Sequence, residues 1–382
     1  MRRDPADQGR GPGTGDGPPL GTPRGVQTVP GPSSPSLVFR DSLRAVPLYA
    51  PGVEPCAIDL SDNTNLWGAP PAALRAIRQA SDRSVARYPS LYSHGLKALV
   101  ASYAGVGAEE IVTGCGSDDV LDAAMRALAE PGDAIAYPSP SFSMIPTFAR
   151  MNGLEPLAVP LRPDYDVDAD GLLATGARIV YLCSPNNPTG TATSREAILH
   201  VVERATGVVV LDEAYGEFAD EAYVARAPGW ERVLVTRTMS KAFGMAGLRF
   251  GYGVGSARLV REVEKARGPY KVTALAEQAV AAAIGEDLAW VRHHAARARE
   301  TRERFAAELR ALGLDVLPSQ ANFVMVRTPR ARRLAELLRD AGVAVRLFTA
   351  LPVVGDALRI GVGPWEMMQP VLDTLAAAGD NA

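Results

Sequence analysis

The chain has few residues of the kinds that bind metal ions or form disulfide bonds. Its three cysteines, Cys56, Cys115 and Cys183, lie far apart, and its four histidines form neither an HExxH pair nor a ligand spacing with a cysteine. Zinc sites need such spacings, and secreted disulfide scaffolds are rich in cysteine. We therefore expect a protein that holds no metal ion and works in a reducing cytoplasm.

Long apolar segments and an excess of positive charge are also missing. No apolar run reaches the roughly 18 to 20 residues of a membrane-spanning helix, and the pair Arg2 and Arg3 is not followed by the apolar segment of a signal peptide. The 40 basic and 43 acidic residues give a net charge of −3, which disfavours a nucleic-acid binder. With 47% apolar and 22% charged residues, the composition is that of a globular protein, and its length predicts more than one packed unit.

Lysine is scarce among the basic residues. Most of the 40 are arginines, and the only lysines are Lys97, Lys241, Lys265 and Lys271. In such an arginine-rich chain a single arginine is weak evidence of function, whereas each of the four lysines needs a specific explanation for its presence.

The chain divides into four regions by composition and pattern. Roughly half of residues 1–35 are glycine or proline, so this segment cannot bury enough apolar surface to offset the entropy of ordering it. We predict a disordered tail over 1–40, an arm over 41–68, a large domain over 69–256 and a small domain over 257–382.

The predicted large domain alternates short apolar strands with helices. Such strands, covered on both faces, are typical of an α/β domain with a mostly parallel sheet. Helix signals run almost continuously over 257–312, with a charged stretch at 292–310 that predicts a solvated helix, and a smaller α+β domain follows. The predicted strands of the large domain are 110–113, 134–137, 154–159, 179–183, 208–211, 233–236 and 248–254, and helices are predicted at 95–104, 117–128, 141–152 and 194–203.

Open α/β sheets bind ligands beyond the carboxyl ends of their strands. After the first predicted strand, residues 114–119 read GCGSDD and open a helix, and free N–H groups at a helix start favour a phosphate. The same residues are also compatible with an ordinary helix cap. The loop is neither GxGxxG nor a Walker A motif, so nicotinamide and ATP binding find no support.

Three further strand ends carry chemically useful groups. They are Asn187 in SPNNPTG, Asp212 and Tyr215 in DEAY, and Lys241 in RTMSKAFG. An amine, a carboxylate, a phenol and a phosphate cradle suit a phosphorylated aldehyde cofactor that is held as a Schiff base.

The order and wording of these motifs resemble the fold-type I pyridoxal phosphate enzymes, and in particular the class I/II aminotransferases. The nearest resemblance is to the histidinol-phosphate aminotransferase branch, and it spans roughly Leu60 to the C-terminus. It is carried by the strings CSPNNPTG, DEAYGEF, RTMSKAFGMAGLRFGY, RYPS, ANFVMVR and LRIGVG. The resemblance implies an aspartate-aminotransferase-like fold, pyridoxal 5′-phosphate as cofactor and a homodimer with shared active sites.

The resemblance also assigns roles to single residues. Lys241 matches the Schiff-base lysine that shuttles the substrate proton, and Asp212 matches the acid that keeps the pyridine nitrogen protonated. Tyr215 and Asn187 match donors to the ring oxygen of the cofactor. Phe142 stands where the family stacks an aromatic ring on the pyridine, or it is a plain core residue. The phosphate cradle is matched by Gly116, Ser117, Asp118, Ser240 and Arg249, and Tyr88 matches a tyrosine contributed by the neighbouring subunit or is only interface packing.

Substrate-binding residues follow in the same way. Arg359 matches the arginine that binds the acidic group of the substrate, Arg346 matches a second arginine that grips the substrate phosphate, and Asn322 lies at a neighbouring matched position. The branch usually has a substrate-contacting tyrosine where this chain has Trp67. An indole N–H donates one hydrogen bond and accepts none, so this departure leaves room for another substrate.

The resulting hypothesis is a ping-pong aminotransferase that acts on histidinol phosphate, with 2-oxoglutarate as the amino acceptor. Open alternatives are an aromatic or specialised-metabolism amine as donor, and a decarboxylase similar to the threonine-phosphate decarboxylases. A non-catalytic regulator on the same fold is a further alternative, although residues 1–40 show no helix-turn-helix pattern.

Overall fold

A seven-stranded sheet forms the centre of the computed structural model, which describes residues 38–44, 46–48 and 56–379. The strands of the described chain are β1 (Ile58–Asp59), β2 (Ile111–Cys115), β3 (Ala134–Ser139), β4 (Glu155–Pro160), β5 (Ile179–Cys183), β6 (Val208–Asp212), β7 (Val233–Thr238), β8 (Phe250–Val254), β9 (Asp315–Val316), β10 (Phe323–Arg327), β11 (Val343–Ala344), β12 (Arg346–Leu351) and β13 (Gly355–Gly361).

The α-helices surround and follow these strands. They are α1 (Asp41–Arg44), α2 (Pro71–Arg78), α3 (Asp82–Ala86), α4 (His94–Ala104), α5 (Ser117–Leu128), α6 (Met144–Met151), α7 (Ala169–Ala174), α8 (Arg195–Arg204), α9 (Ala257–Arg267), α10 (Ala274–Glu286), α11 (Leu288–Ala311), α12 (Ala331–Asp340) and α13 (Trp365–Ala378). From Asp41 onward the chain is one compact unit. The predicted tail falls almost wholly outside the described residues.

The central sheet has the strand order β2-β8-β7-β6-β5-β3-β4. Every neighbouring pair is parallel except the two pairs that β8 makes, which are antiparallel. The carboxyl ends of β2, β5, β6 and β7 therefore meet at one edge, where β8 begins. This confirms the predicted mostly parallel α/β sheet.

Both faces of the sheet are covered, because the central strands β5 and β6 are apolar at every position except Asp212 at the end of β6. In β6, Val209 and Leu211 pack into the core on the side of α4, α8 and α10. Val210 lies between them and faces the opposite core, against α5 and α6. Strands that are covered on both faces appear in the sequence as continuous apolar runs, and such runs are the pattern that predicts them.

A second sheet, with the order β12-β13-β10-β9, is antiparallel throughout. Leu358 and Ile360 of β13 share a core with Phe305 of α11, Leu338 of α12 and Val371 of α13. An antiparallel sheet with helices on one side is an α+β arrangement, which is what the sequence predicts for this part of the chain. The proposed boundaries between the large and small domains stay a prediction.

Several predicted elements differ from the observed ones. The continuous helix signal over 257–312 is three helices, because Gly268 ends α9 with a φ of +77° and the Thr273 side chain caps a new helix by accepting from the Ala276 N–H. The helix expected from Ser141 begins only at Met144, since the Ser141 hydroxyl donates to Asn186 instead. Short helices α3 and α7 were not predicted.

The charged helix α11 is not solvated throughout. Arg302 is buried, and its guanidinium donates to the carbonyl of Ala321 and to the Glu303 carboxylate. Among the described residues no helix is both long and apolar enough to span a bilayer. The same part of the chain holds no group of three or more His, Cys, Asp or Glu side chains placed to bind a metal ion.

Candidate active site

A cavity of about 470 Å³ opens at the carboxyl edge of the central sheet. Its position agrees with the rule that α/β sheets bind ligands beyond their strand ends. Predicted site residues that line it are Ser117, Asp118, Phe142, Asn187, Asp212, Tyr215, Ser240, Lys241 and Arg249. The structure thus brings together side chains that lie more than 130 positions apart in the sequence.

One end of the cavity is formed by the start of α5. Gly116 joins β2 to α5 with a φ of +84°, which favours glycine, and the first-turn N–H groups of α5 are free to bind an anion. Arg249 lies against this turn: a Cβ on Gly116 would come within 2.7 Å of its guanidinium. Arg249 also pairs with Asp118 at 3.2 Å. This end of the cavity is a cradle for an anionic group.

Two hydroxyl groups complete the cradle. The Thr238 hydroxyl donates to the Ser240 hydroxyl at 3.0 Å and accepts from the Ser240 N–H at 3.1 Å. Gly251 of β8 lies so close that a Cβ there would meet the Ser117 nitrogen at 2.2 Å. The predicted Gly116, Ser117, Ser240 and Arg249 therefore lie together, and Thr238 is an addition that the sequence reading did not include.

Asp212 is the last residue of β6 and is buried. Its carboxylate accepts from the Tyr181 hydroxyl at 2.9 Å, from the Thr236 hydroxyl at 3.0 Å and from the Ala214 N–H at 3.1 Å. Burial raises the pKa of Asp212 to about 6, while the hydrogen bonds from Tyr181 and Thr236 act in the opposite direction. No basic side chain of the described chain forms an ion pair with this carboxyl group. It is therefore available to a protonated group of a ligand.

Lys241 follows β7, and its Nζ faces the same cavity. The Nζ donates to the backbone carbonyl of Asp62 at 3.2 Å and lies 5.7 Å from the centre of the Tyr215 ring. Burial, together with the positive charge of Arg359, lowers the pKa of Lys241 to about 8. An amine with a lowered pKa is more often unprotonated at neutral pH and so is a better nucleophile.

Tyr215 is buried beneath the cavity. Its hydroxyl accepts a hydrogen bond from the Nδ2 of Asn63 at 3.2 Å, and its ring packs edge-on against Phe323 at 5.3 Å between centres. Burial raises the pKa of Tyr215 to about 12, with Arg359 and Asn63 acting to lower it. Asn63 is a site residue that the sequence analysis did not single out.

Arg359 lies beside the cavity on the second sheet, and Arg346 lies on the neighbouring strand of that sheet. Arg359 donates to the Asn187 side-chain carbonyl and to the Ser61 backbone carbonyl, both at 2.6 Å. Arg346 is its direct register partner across β12 and β13, so the two side chains leave the same face of the sheet. Asn322 donates to the carbonyls of Asn63 and Thr64 at 3.0 and 3.4 Å, and thus holds the wall of the cavity.

Like Gly116, Asn322, Arg346 and Arg359, two further predicted residues do not line the cavity. Trp67 packs near His294, at 6.4 Å between ring centres, and its buried Nε1 has no hydrogen-bond partner among the described residues. Tyr88 is 83% exposed and stacks on Tyr270 at 4.9 Å. Their predicted roles, with substrate and in a neighbouring subunit, stay predictions.

Seven other lining residues were not singled out in the sequence. Four of them lie within the quoted motifs but have no role assigned to them there, and the other three lie outside those motifs. The seven are Asp62, Thr64, Met144, Cys183, Ala214, Thr238 and Ala246.

Comparison with known proteins gives a consistent result. The model of the family "Aminotransferase class I and II" matches residues 56–375. The chain is 33% identical over 343 residues to histidinol-phosphate aminotransferase 1 of a Nostoc species, covering 88% of this chain and 97% of the relative. It is 35% identical over 331 residues to the histidinol-phosphate aminotransferase of Roseiflexus castenholzii, covering 83% and 88% respectively.

A solved structure agrees with these relatives. The crystal structure of histidinol-phosphate aminotransferase from Sinorhizobium meliloti in complex with pyridoxal-5′-phosphate superimposes with a TM-score of 0.77 at 27% identity. The match covers 89% of this chain and 96% of that structure.

Proposed function

This chain belongs to the class I and II aminotransferases and is a pyridoxal phosphate-dependent enzyme, and on that premise we propose that it transfers an amino group between histidinol phosphate and 2-oxoglutarate. We further propose that it acts in the cytoplasm as a homodimer. The proposal on the substrate is supported by the two arginines beside the cavity and by the relatives described above.

The cavity fits pyridoxal phosphate by its own chemistry. The α5 cradle with Ser240 and Arg249 would hold the phosphate, since N–H groups and a guanidinium bind such an anion. The unpaired carboxyl group of Asp212 would hold the ring nitrogen. Lys241 offers the amine for the aldehyde, and Tyr215 with Asn187 would contact the ring oxygen.

Each side chain then has a defined task. When bound, the cofactor supplies a protonated pyridine ring that draws electrons from the α-carbon of the substrate. The Asp212 carboxylate keeps the proton on the ring nitrogen. The Nζ of Lys241, with its lowered pKa, would take up the α-proton of the substrate and return it to C4′ of the cofactor. Phe142 lines the cavity and would cover one side of the ring.

The single observation that carries the substrate proposal is the register pairing of Arg346 with Arg359. Two guanidinium groups that leave one face of a sheet, one of which lies close enough to Lys241 to lower its pKa, suit a phosphate dianion better than a single carboxylate does. Arg359 also binds Asn187 and so connects the two sheets at the site. In the second half of the reaction the same cations would bind the carboxylates of 2-oxoglutarate.

The proposal of a homodimer rests on an exposed aromatic pair. Tyr88 and Tyr270 stack on each other, and both are exposed, as are the neighbouring Val85 and Leu91. An exposed cluster of large apolar side chains is typical of an interface. In a second copy, Tyr88 would reach the phosphate cradle of its neighbour, as the family resemblance implies.

The test is a set of single half-reactions with purified holoenzyme. Histidinol phosphate should bleach the visible absorption band, and 2-oxoglutarate should restore it, with phenylalanine reacting more weakly. Arg346→Gln should raise the KM for histidinol phosphate roughly 10- to 100-fold, because a charge-assisted hydrogen bond contributes about 1.5–3 kcal/mol. Its kcat/KM for phenylalanine should stay unchanged. A chain that prefers phenylalanine, or releases carbon dioxide without forming glutamate, refutes the proposal.

A further inference from the structure

Asn63 is fixed at the edge of the cavity by contacts on two sides. It is buried, with 2% of its surface exposed, and its backbone has a φ of +53°. Asparagine tolerates this left-handed conformation better than most residues. Its side-chain Nδ2 donates to the Tyr215 hydroxyl, and its carbonyl accepts from Asn322 at 3.0 Å. The amide of Asn63 is thereby held against the phenol of Tyr215.

This contact determines whether the Tyr215 hydroxyl donates or accepts a hydrogen bond when a ligand is bound. A phenol has one proton to donate and a lone pair with which it can accept. The Asn63 amide donates to that lone pair, and the Tyr215 hydroxyl donates to no acceptor among the described residues. The proton of Tyr215 is therefore left for a ligand in the cavity. Donation into the phenol also makes that proton easier to share.

We propose that Asn63 is a positioning residue, which directs the Tyr215 proton toward the ring oxygen of the cofactor and strengthens that hydrogen bond. The inference rests on the proposed role of Tyr215. A donor to the ring oxygen stabilises negative charge there and so disfavours a proton on the nitrogen that joins Lys241 to the cofactor. Asn63 thus tunes the pH at which the bound cofactor changes its visible absorption.

The test is a pH titration of the visible band in the holoenzyme, without any substrate. Asn63→Gly keeps the left-handed backbone but removes the donor. We expect the midpoint to rise by about 0.5 pH unit, since a hydrogen bond of this kind contributes about 0.5–1.5 kcal/mol and one unit is 1.36 kcal/mol. Asn63→Asp also tolerates the backbone, and its carboxylate would accept the Tyr215 proton. This variant should raise the midpoint further than Asn63→Gly does.

A matched control comes from the same segment. Asn65 donates to the Ala242 carbonyl at 2.8 Å and has no contact with Tyr215. Asn65→Ala should loosen the segment and leave the midpoint unchanged. If Asn65→Ala shifts the midpoint as much as Asn63→Gly does, Asn63 has a structural role only and the proposal is wrong.

A double-mutant cycle tests separately whether Tyr215 affects the midpoint and whether Asn63 acts through Tyr215. Tyr215→Phe alone should raise the midpoint, and adding Asn63→Gly to it should have no further effect. An equal shift by Asn63→Gly in both backgrounds would show that Asn63 does not act through Tyr215. A midpoint near the wild-type value in Asn63→Asp would show that Asn63 accepts from the phenol instead. If Tyr215→Phe leaves the midpoint unchanged, the proposed role of Tyr215 fails and the inference fails with it.

Discussion

Replacing Arg237 should destabilise the protein in a manner that depends on pH. Arg237 lies in β7 with 5% of its surface exposed. Its guanidinium binds Glu213 at 2.9 Å and Glu217 at 2.8 Å, and the carboxylates are themselves buried. The Tyr103 hydroxyl donates to Glu217 at 3.2 Å. Arg237→Met would keep much of the side-chain volume and leave two buried carboxylates without their cation.

The magnitude follows from the burial of the pair. Removing one partner of a buried ion pair costs about 3–5 kcal/mol, because the remaining charge is uncompensated. Burial already raises the pKa of Glu213, and Arg237 is the main influence that lowers it. Without Arg237, the folded-state pKa of Glu213 lies further above its unfolded value. Such a group destabilises the fold increasingly as the pH rises from the unfolded pKa toward the folded pKa, so the variant should lose more stability at pH 8 than at pH 5.5.

Urea unfolding at both pH values, with saturating cofactor, measures the difference from wild type. Arg299→Met is the matched control, since Arg299 binds Asp220 at a similar 2.8 Å but on the surface. Exposed pairs contribute about 0–1 kcal/mol, so this control should change little at either pH. A loss below about 1 kcal/mol in Arg237→Met at pH 8, or an equal loss at both pH values, would refute the reasoning.

Two further predictions concern the site itself. Gly244→Ala should lower the thermal midpoint and the cofactor content of the purified protein, because its Cβ would lie 2.0 Å from the Gly68 carbonyl at a φ of +65°; Gly247→Ala, with open space around it, should do neither. The affinity of apoprotein for pyridoxal phosphate should fall as the pH drops through about 6, since protonated Asp212 no longer attracts a protonated ring nitrogen. Fluorescence titration should show this fall in wild type but not in Asp212→Asn, and a fall of equal size in both would contradict the assignment.

The sheet and the loops at its edge could be predicted from the sequence, because both depend on local signals. Ile179–Cys183 is apolar at every position and ends at a turn cluster, so its extent was predicted without error. Asp212 ends β6 and Lys241 comes three residues after the end of β7, and parallel strands bring their carboxyl ends to one edge. Functional side chains at the ends of regular strands can therefore be identified from the sequence alone.

Residues whose roles depend on distant partners could not be found in this way. Asn63 and Tyr215 are 152 positions apart, and only the folded chain shows that they share a hydrogen bond. Arg237 is one of many arginines in the sequence, and nothing in the neighbouring residues indicates that it is buried between two carboxylates. Trp67 takes the place of a substrate-contacting tyrosine, and its role toward the substrate stays a prediction, although the structure shows its ring near His294.

Asp212 and Lys241 both have pKa values that the protein shifts toward neutral pH. Burial, with a smaller contribution from the charge of Asp118, raises the pKa of Asp212 to about 6, whereas burial and the charge of Arg359 together lower the pKa of Lys241 to about 8. Between these two values Asp212 is mainly ionised and Lys241 needs to lose only one weakly held proton to react. Arg359 also acts to lower the pKa of Tyr215. The arginine that we propose binds the substrate therefore also lowers the pKa of two side chains that we propose contact the cofactor, so under this proposal substrate binding and proton transfer depend on one cation.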